Sequence, residues 1–273
     1  MSRYCAQLAA TTSALLMLER DIAGIAFLST QEEFDQTPAP AARAKIAYCV
    51  AVKAAMSGKR VKVATGFSGC NGGSRALGMI PPDEAFTSGS HYHGFGLYHD
   101  MPTSRQVAET MTARDRSCHG VLVQPLGQFA EKDPDVVILV TDARNAMRLI
   151  QGYTYHHGSQ TTFKMAGNQA LCSECTAYPL ATGGMNVSML CSGTRHLARW
   201  KSHELASGIP FDKFPATVDG LLRTANAVEL DPAKQRIREQ LLSQGLPDPH
   251  FRFGYTYYTD LEKKKAKQRR QRP

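Results

Sequence analysis

Four cysteines, Cys49, Cys70, Cys172 and Cys191, constrain this chain most, because any centre they share must gather segments far apart in sequence. Cys70 is held in Phe67-Ser-Gly-Cys-Asn-Gly-Gly73, and Cys191 in Met189-Leu-Cys-Ser-Gly-Thr-Arg195. Cys172 opens a Cys-Ser-Glu-Cys run shortly after Gly167. These surroundings are turn-like and not apolar stripes. A thiolate in a tight turn can project towards a shared point while backbone N–H groups face its sulfur, as a metal or iron–sulfur site requires.

Four thiolates suit a [4Fe–4S] or [2Fe–2S] cluster and also a structural zinc ion. Zinc sites favour two short knuckles, and Cys172-Ser-Glu-Cys175 is the only one present. On the residues alone three outcomes stay open: a shared metal or cluster site, buried inert cysteines, or a redox disulfide. Gly72, Gly73 and Gly193 place backbone N–H donors beside the proposed ligands, and Lys53, Arg75 and Arg195 are cations that would offset an anionic centre. Lys53, Arg195 and Glu204, charged residues flanking the cysteines, are the first candidates for substrate binding or proton transfer. Cys5 reads as packing and Cys118 as a residue before a strand. Cys175 is an alternative ligand to Cys172.

The chain of 273 residues can bury a substantial core, and no run approaches the roughly 18 apolar residues of a membrane span. The N-terminal run flows into Glu19-Arg20-Asp21 and reads as an amphipathic helix, not a signal peptide. Seven cysteines without a secretory signal point to a reducing compartment, the cytoplasm. The net charge of +8 is almost all in residues 263–272, which carry seven positive charges. The body is therefore nearly neutral. Residues 261–273 read as a basic disordered tail, able to hold nucleic acid only weakly.

The pattern is α/β, with mixed sheets and packed helices in one domain over 1–260. Strands are expected at 22–28, 59–65, 120–125, 135–141, 161–165 and 185–190. Helices are expected at the N-terminus and at 44–56, 143–152, 201–207, 217–228 and 231–244. Residues 31–42 read as a loop and 81–101 as irregular. His91, His93 and His99, with Tyr92 and Tyr98, read there first as an ordinary surface loop and second as a lid. Two halves, 15–110 and 111–230, echo each other as strand, helix, glycine, strand, cysteine. Such a duplication would make Cys70 and Cys172 equivalent about a pseudo-twofold axis. No P-loop, dinucleotide fingerprint, His-Glu-x-x-His or Gly-x-Ser-x-Gly motif occurs.

Several segments in order resemble the domain of unknown function 169 family, also called ArCR. They are Cys49-Val-Ala-Val-Lys53, Cys70-x-Gly-Gly73 with Ala76-Leu-Gly78, Pro134-Asp-Val-Val-Ile-Leu139 and Ala146-Met-Arg-Leu-Ile-Gln151. Cys172, Pro179-x-x-x-Gly183, Leu190-Cys-x-Gly-x-Arg195 and Glu204-Leu-Ala-x-Gly-Ile-Pro210 complete the set. The resemblance covers about residues 15–225 and implies the same four cysteines as ligands. One departure is Ile22-Ala-Gly-Ile-Ala26, where the family tends to have a Pro-Val-Ala-Val-Lys-like segment; a lysine there is missing. The expectation is an iron–sulfur protein, holding a cluster of the [4Fe–4S] type and acting in redox or sulfur transfer on a small molecule. Its alternatives are a non-catalytic cluster or metal carrier serving a redox partner protein, and a structural-zinc binding module.

Overall fold

The computed structural model describes residues 2–115, 117–159 and 162–270. Six strands form one antiparallel sheet: β1 (Ala23–Leu28), β2 (Val61–Ala64), β3 (Gly120–Pro125), β4 (Val136–Thr141), β5 (Asn186–Ser188) and β6 (Leu205–Pro210). Their spatial order is β2-β3-β1-β4-β6-β5. Both faces of the sheet are covered, which is why its central strands are apolar on both sides instead of alternating with polar residues. Ile25, Val121, Val123, Ile138 and Ala206 face one core. Ala26, Leu122, Val137, Leu139 and Ile209 face the other. The second face carries the long helices Ser2–Leu16, Ala143–His157 and Phe214–Val228. The first carries Tyr48–Ala55 and the π-helical segment Ala170–Ala177, and it is on this face that the cysteines lie.

The sheet has a pseudo-twofold axis. Reading outward from its middle gives β1, β3, β2 on one side and β4, β6, β5 on the other. Register agrees with this throughout. β1 and β4 meet with Ala23 opposite Ile138, Gly24 opposite Val137 and Ile25 opposite Val136, so the axis passes through the Gly24–Val137 pair. Ala23 opposes Pro125 where Val136 opposes Pro210, and Val61 opposes Val123 where Asn186 opposes Gly208. Each outgoing strand ends on a proline and enters a short 3-10 turn. There the Leu126 N–H donates to the Ile22 carbonyl at 2.7 Å, as the Phe211 N–H does to Asp135 at 3.0 Å.

Two expectations about the halves are corrected. Their boundary lies between β3 and β4 and not at residue 110, because β3 pairs with β1 and β2. The equivalent cysteines are Cys70 with Cys191, each following an outer strand, and Cys49 with Cys172, each preceding one. The strand, helix, glycine, strand, cysteine pattern alone pairs Cys70 with Cys172, which the strand order overturns.

Other elements also differ. Residues 205–207 begin β6 and are not helical; the short run ends at Gly208 and Pro210, a composition that reads either way. Residues 162–165 lie in no strand, and residue 161 falls outside the described residues. The loop at 31–42 contains the helix Gln31–Gln36, started by the Thr30 side chain accepting from the Glu33 N–H. The helix expected from 44 starts at Tyr48, because Ile46 is extended and bridges Ser68. The basic segment is helical over Tyr257–Arg270, and 271–273 lie outside the described residues.

Gly208 shows how tightly the sheet meets the cysteine layer. A Cβ there would stand 2.0 Å from the Cys175 carbonyl oxygen. Gly208→Ala is therefore expected to destabilise the protein by about 1–3 kcal/mol, through forced separation of β6 and the π-helical segment. A denaturant titration measures it, and an unchanged midpoint would contradict this close packing.

Candidate metal centre

Each of the four cysteines sits at the start of a helical segment. Cys70 occupies the N-cap of Asn71–Ala76, and its sulfur accepts from the Gly73 N–H at 3.4 Å. Cys191 occupies the N-cap of Ser192–Ala198, with its sulfur accepting from the Thr194 N–H at 3.4 Å. Cys49 is the second residue of Tyr48–Ala55. Cys172 is the third residue of the π-helical segment. The first turn of a helix has N–H groups without intrahelical acceptors, so a sulfur placed there meets donors and positive potential.

Local chain geometry aims these residues. Leu190, just before Cys191, has φ 67, and Gln169, just before the π-helical segment, has φ 53. Non-glycine residues in the left-handed region are costly and are retained where surrounding structure imposes them. The Ser188 hydroxyl oxygen holds the Leu190 turn by accepting its N–H at 3.1 Å. The glycines keep the space between sulfurs open. A Cβ on Gly73 would sit 3.6 Å from the Cys70 sulfur and 3.9 Å from the Cys172 Cβ, and one on Gly193 3.9 Å from the Cys191 sulfur.

All four cysteines line one cleft of about 410 Å³, together with Gly72, Gly73 and Gly193. The pairs related by the pseudo-twofold therefore meet close to its axis. Burial first, then the nearby Cys70, Cys191 and Cys49, pushes the Cys172 thiol well above the usual range. Burial also raises Cys49, with Thr194 opposing and Cys70 and Cys191 adding to the rise. Among the described residues no group of three His, Cys, Asp or Glu side chains is placed to hold one metal ion. The four cysteines share one cleft.

The remaining cysteines stand apart. Cys175 is fully buried in the core beneath β6, three residues past Cys172, and does not line the cleft. Cys5 and Cys118 are buried, and burial pushes each thiol up to about 11.

Lys53, Arg195 and Glu204 do not line the cleft. Lys53 Nζ lies 3.9 Å from the Trp200 ring centroid, and burial and Arg20 lower its pKa. The Arg195 guanidinium donates to the carbonyls of Lys201, Met189 and Glu204 at 2.6, 2.7 and 2.9 Å, bracing the loop behind Cys191. Glu204 accepts from the Lys201 N–H at 2.6 Å and pairs with Arg20 at 2.5 Å. Charged residues near the cysteines in sequence thus tie the framework together.

Sequence reasoning missed Thr194, Trp200, Gln169 and the role of Tyr92. Thr194 touches two of the sulfurs: its N–H faces Cys191 and its side chain bonds Cys49. Its hydroxyl oxygen also accepts from the Trp200 indole N–H at 3.3 Å. An indole only donates, so the hydroxyl proton is left for the Cys49 sulfur. The 81–101 stretch contains the helices Glu84–Thr87 and Ser90–Gly94, and His91, Tyr92, Phe95 and Leu97 line the cleft. The segment forms a wall of the cleft, where a lid would stand, and is not a plain surface loop. Arg75 stacks 3.3 Å over Phe86 beside it, and burial lowers its pKa, with Tyr92, Asp83 and Cys172 opposing.

Comparison with known proteins adds a family but no activity. The chain is 24% identical over 153 residues to an uncharacterized protein of Methanocaldococcus jannaschii, covering 56% of this chain and 65%, just under two thirds, of that relative. No solved structure matches it. Residues 13–220 match the family described as uncharacterised ArCR, so the chain belongs to the domain of unknown function 169 family.

Proposed function

We propose that Cys49, Cys70, Cys172 and Cys191 hold an iron–sulfur cluster, of the [4Fe–4S] type, and that the protein uses it in redox or sulfur-transfer chemistry on a small molecule. One observation carries this reading: two pseudo-twofold pairs of thiols, each at the start of a helical segment, line a single cleft. The donor set fits the group. Four thiolates are the usual complement for such a cluster, and backbone donors to the sulfurs stabilise its negative charge. A four-thiolate zinc site draws its sulfurs to about 3.8 Å of one another for a Zn–S bond near 2.3 Å. Ligands dispersed along the chain, without the paired short knuckles usual for zinc, favour the cluster. When bound, the cluster supplies one-electron transfer or labile sulfur.

The chain's own residues do the rest. Gly73 and Thr194 N–H groups satisfy two sulfurs, Thr194 reaches a third, and the lid narrows access from solvent. A lidded cleft beside the cysteines favours catalysis over carriage of the cluster for another protein. Among the described residues no helix is long and apolar enough to cross a membrane. Free thiols of this kind favour a reducing compartment such as the cytoplasm.

Anaerobic purification tests the assignment. The protein should be brown, with broad absorbance near ~400 nm and about four iron and four sulfide per chain. Alanine at Cys49, Cys70, Cys172 or Cys191 should remove the iron, whereas Cys5→Ala and Cys175→Ala should retain it. Colourless wild-type protein with one zinc, or iron loss in all six variants alike, would defeat the reading.

Thr194→Val deletes the donor to the Cys49 sulfur, while Thr194→Ser keeps it. Hydrogen bonds to ligand sulfur favour the reduced cluster, so Thr194→Val should shift the potential downward in an EPR-monitored titration. A serine variant shifted equally would show that packing, not the hydroxyl, was responsible.

The metal-free chain should lose stability in alkali. Unfolded thiols ionise near about 8.5, whereas folded Cys49 and Cys172 do so only higher. The folded state therefore keeps more protons in that window, and its stability falls as pH rises through it. Denaturant midpoints between pH 8 and 10 should drop more steeply for the metal-free wild type than for a Cys49→Ser/Cys172→Ser variant.

A further inference from the structure

We infer that the outer part of the cysteine cleft binds a small, neutral, largely apolar molecule carrying one hydrogen-bond acceptor, which Tyr92 engages. The inference names the substrate class for the reading above, and rests on that reading for the chemistry done on the bound molecule.

Neutrality follows from the lining. Among the described residues no Lys, Arg, Asp or Glu side chain is part of it. Burial, and then Arg75, pulls the His91 imidazole below its usual pKa and keeps it uncharged. The Gly73 and Thr194 N–H groups, which could otherwise receive an anion, are spent on sulfur. A phosphate or carboxylate would meet no cation in the lining itself, Arg75 being stacked on Phe86 outside it.

Apolar character follows from the mouth. Phe95, Leu97 and Leu197 line it yet are 70%, 48% and 48% exposed. Three large apolar side chains rimming one opening are a common mark of a ligand site, and about 410 Å³ lies within the size range of small-molecule pockets. Access is one-sided. The first half inserts residues 71–119 between Cys70 and β3 and builds the lid from them, whereas the second half has only 192–204 between Cys191 and β6.

The buried polar handle left to a ligand is the Tyr92 hydroxyl, since Tyr48 bonds Thr176 and Ser192 is exposed. Tyr92 is only 7% exposed and lines the cleft. Its oxygen accepts from Gln169 Nε2 at 2.5 Å. An amide nitrogen only donates, so the phenol keeps its own proton for a ligand. Burial first raises the phenol's pKa, with the Gln169 bond and Arg75 opposing. Gln169 is held in the left-handed region, and Asn168 beside it donates to the Tyr98 hydroxyl at 2.6 Å. Adjacent amides thus fix two tyrosines, and the donor is set before any ligand arrives.

Acetophenone and ethylbenzene are matched probes, with and without a carbonyl acceptor, and benzoate is their charged counterpart. Ligand-observed NMR on anaerobically purified full-length protein should show acetophenone bound, and weakened about three- to tenfold by Tyr92→Phe, the loss of one neutral hydrogen bond. Ethylbenzene should bind wild type and Tyr92→Phe equally, and Leu197→Asp at the mouth should weaken both. Equal acetophenone affinity in wild type and Tyr92→Phe, no binding of either probe, or benzoate binding more tightly than acetophenone would each overturn the inference. Iron content of the same samples separates the two ideas. Acetophenone binding with the Tyr92 dependence in iron-free wild type would sink the cluster and keep the ligand site; iron-loaded protein without that dependence would do the reverse.

Discussion

The pairing of β1 with β4 fixes everything that follows. Three residue pairs centred on Gly24 and Val137 join the two halves of the sheet. Because that pairing is antiparallel and symmetric about its middle, each feature of one half is returned on the other side of the same axis. The cysteines depend on this. A residue placed near the axis in one half is brought against its counterpart without any contact having to be specified separately. Four thiols from distant parts of the chain then require only two solutions, one for Cys49 and Cys172 and one for Cys70 and Cys191.

The halves differ around the cleft. Cys70 and Cys191 keep the same geometry, an extended residue capping a short helix with its sulfur on the third N–H. Their surroundings differ. Beside Cys191 stands Thr194, with its hydroxyl oxygen occupied by Trp200, whereas beside Cys70 the equivalent position is Gly73. One pole is closed by packing. The other faces the lid, where Tyr92 and Gln169 stand.

Much of the sheet was legible in the sequence, and the reasons it failed elsewhere are physical. β1, β3 and β4 are continuous apolar runs because helices cover both faces, and such runs announce themselves. β6 did not: Leu205-Ala-Ser-Gly-Ile-Pro carries a glycine demanded by the Cys175 carbonyl, and glycine is a poor strand former. The π-helical segment has no pattern of its own, since Gln169 enters it through a backbone conformation that side-chain type does not reveal. The four cysteines could be singled out from their turns and from family resemblance. Lys53, Arg195 and Glu204 could not be judged by adjacency, because the helix start that presents Cys49 or Cys191 sends the following side chains towards Trp200 and the loop carbonyls.

The narrowness of the central seam has a mechanical consequence. Only three residue pairs bind β1 to β4, against six between β1 and β3 and six between β4 and β6. The two cores, each drawing side chains from both halves, therefore carry most of the cohesion across that seam, and an inorganic core bonded to sulfurs on both sides would add a further tie.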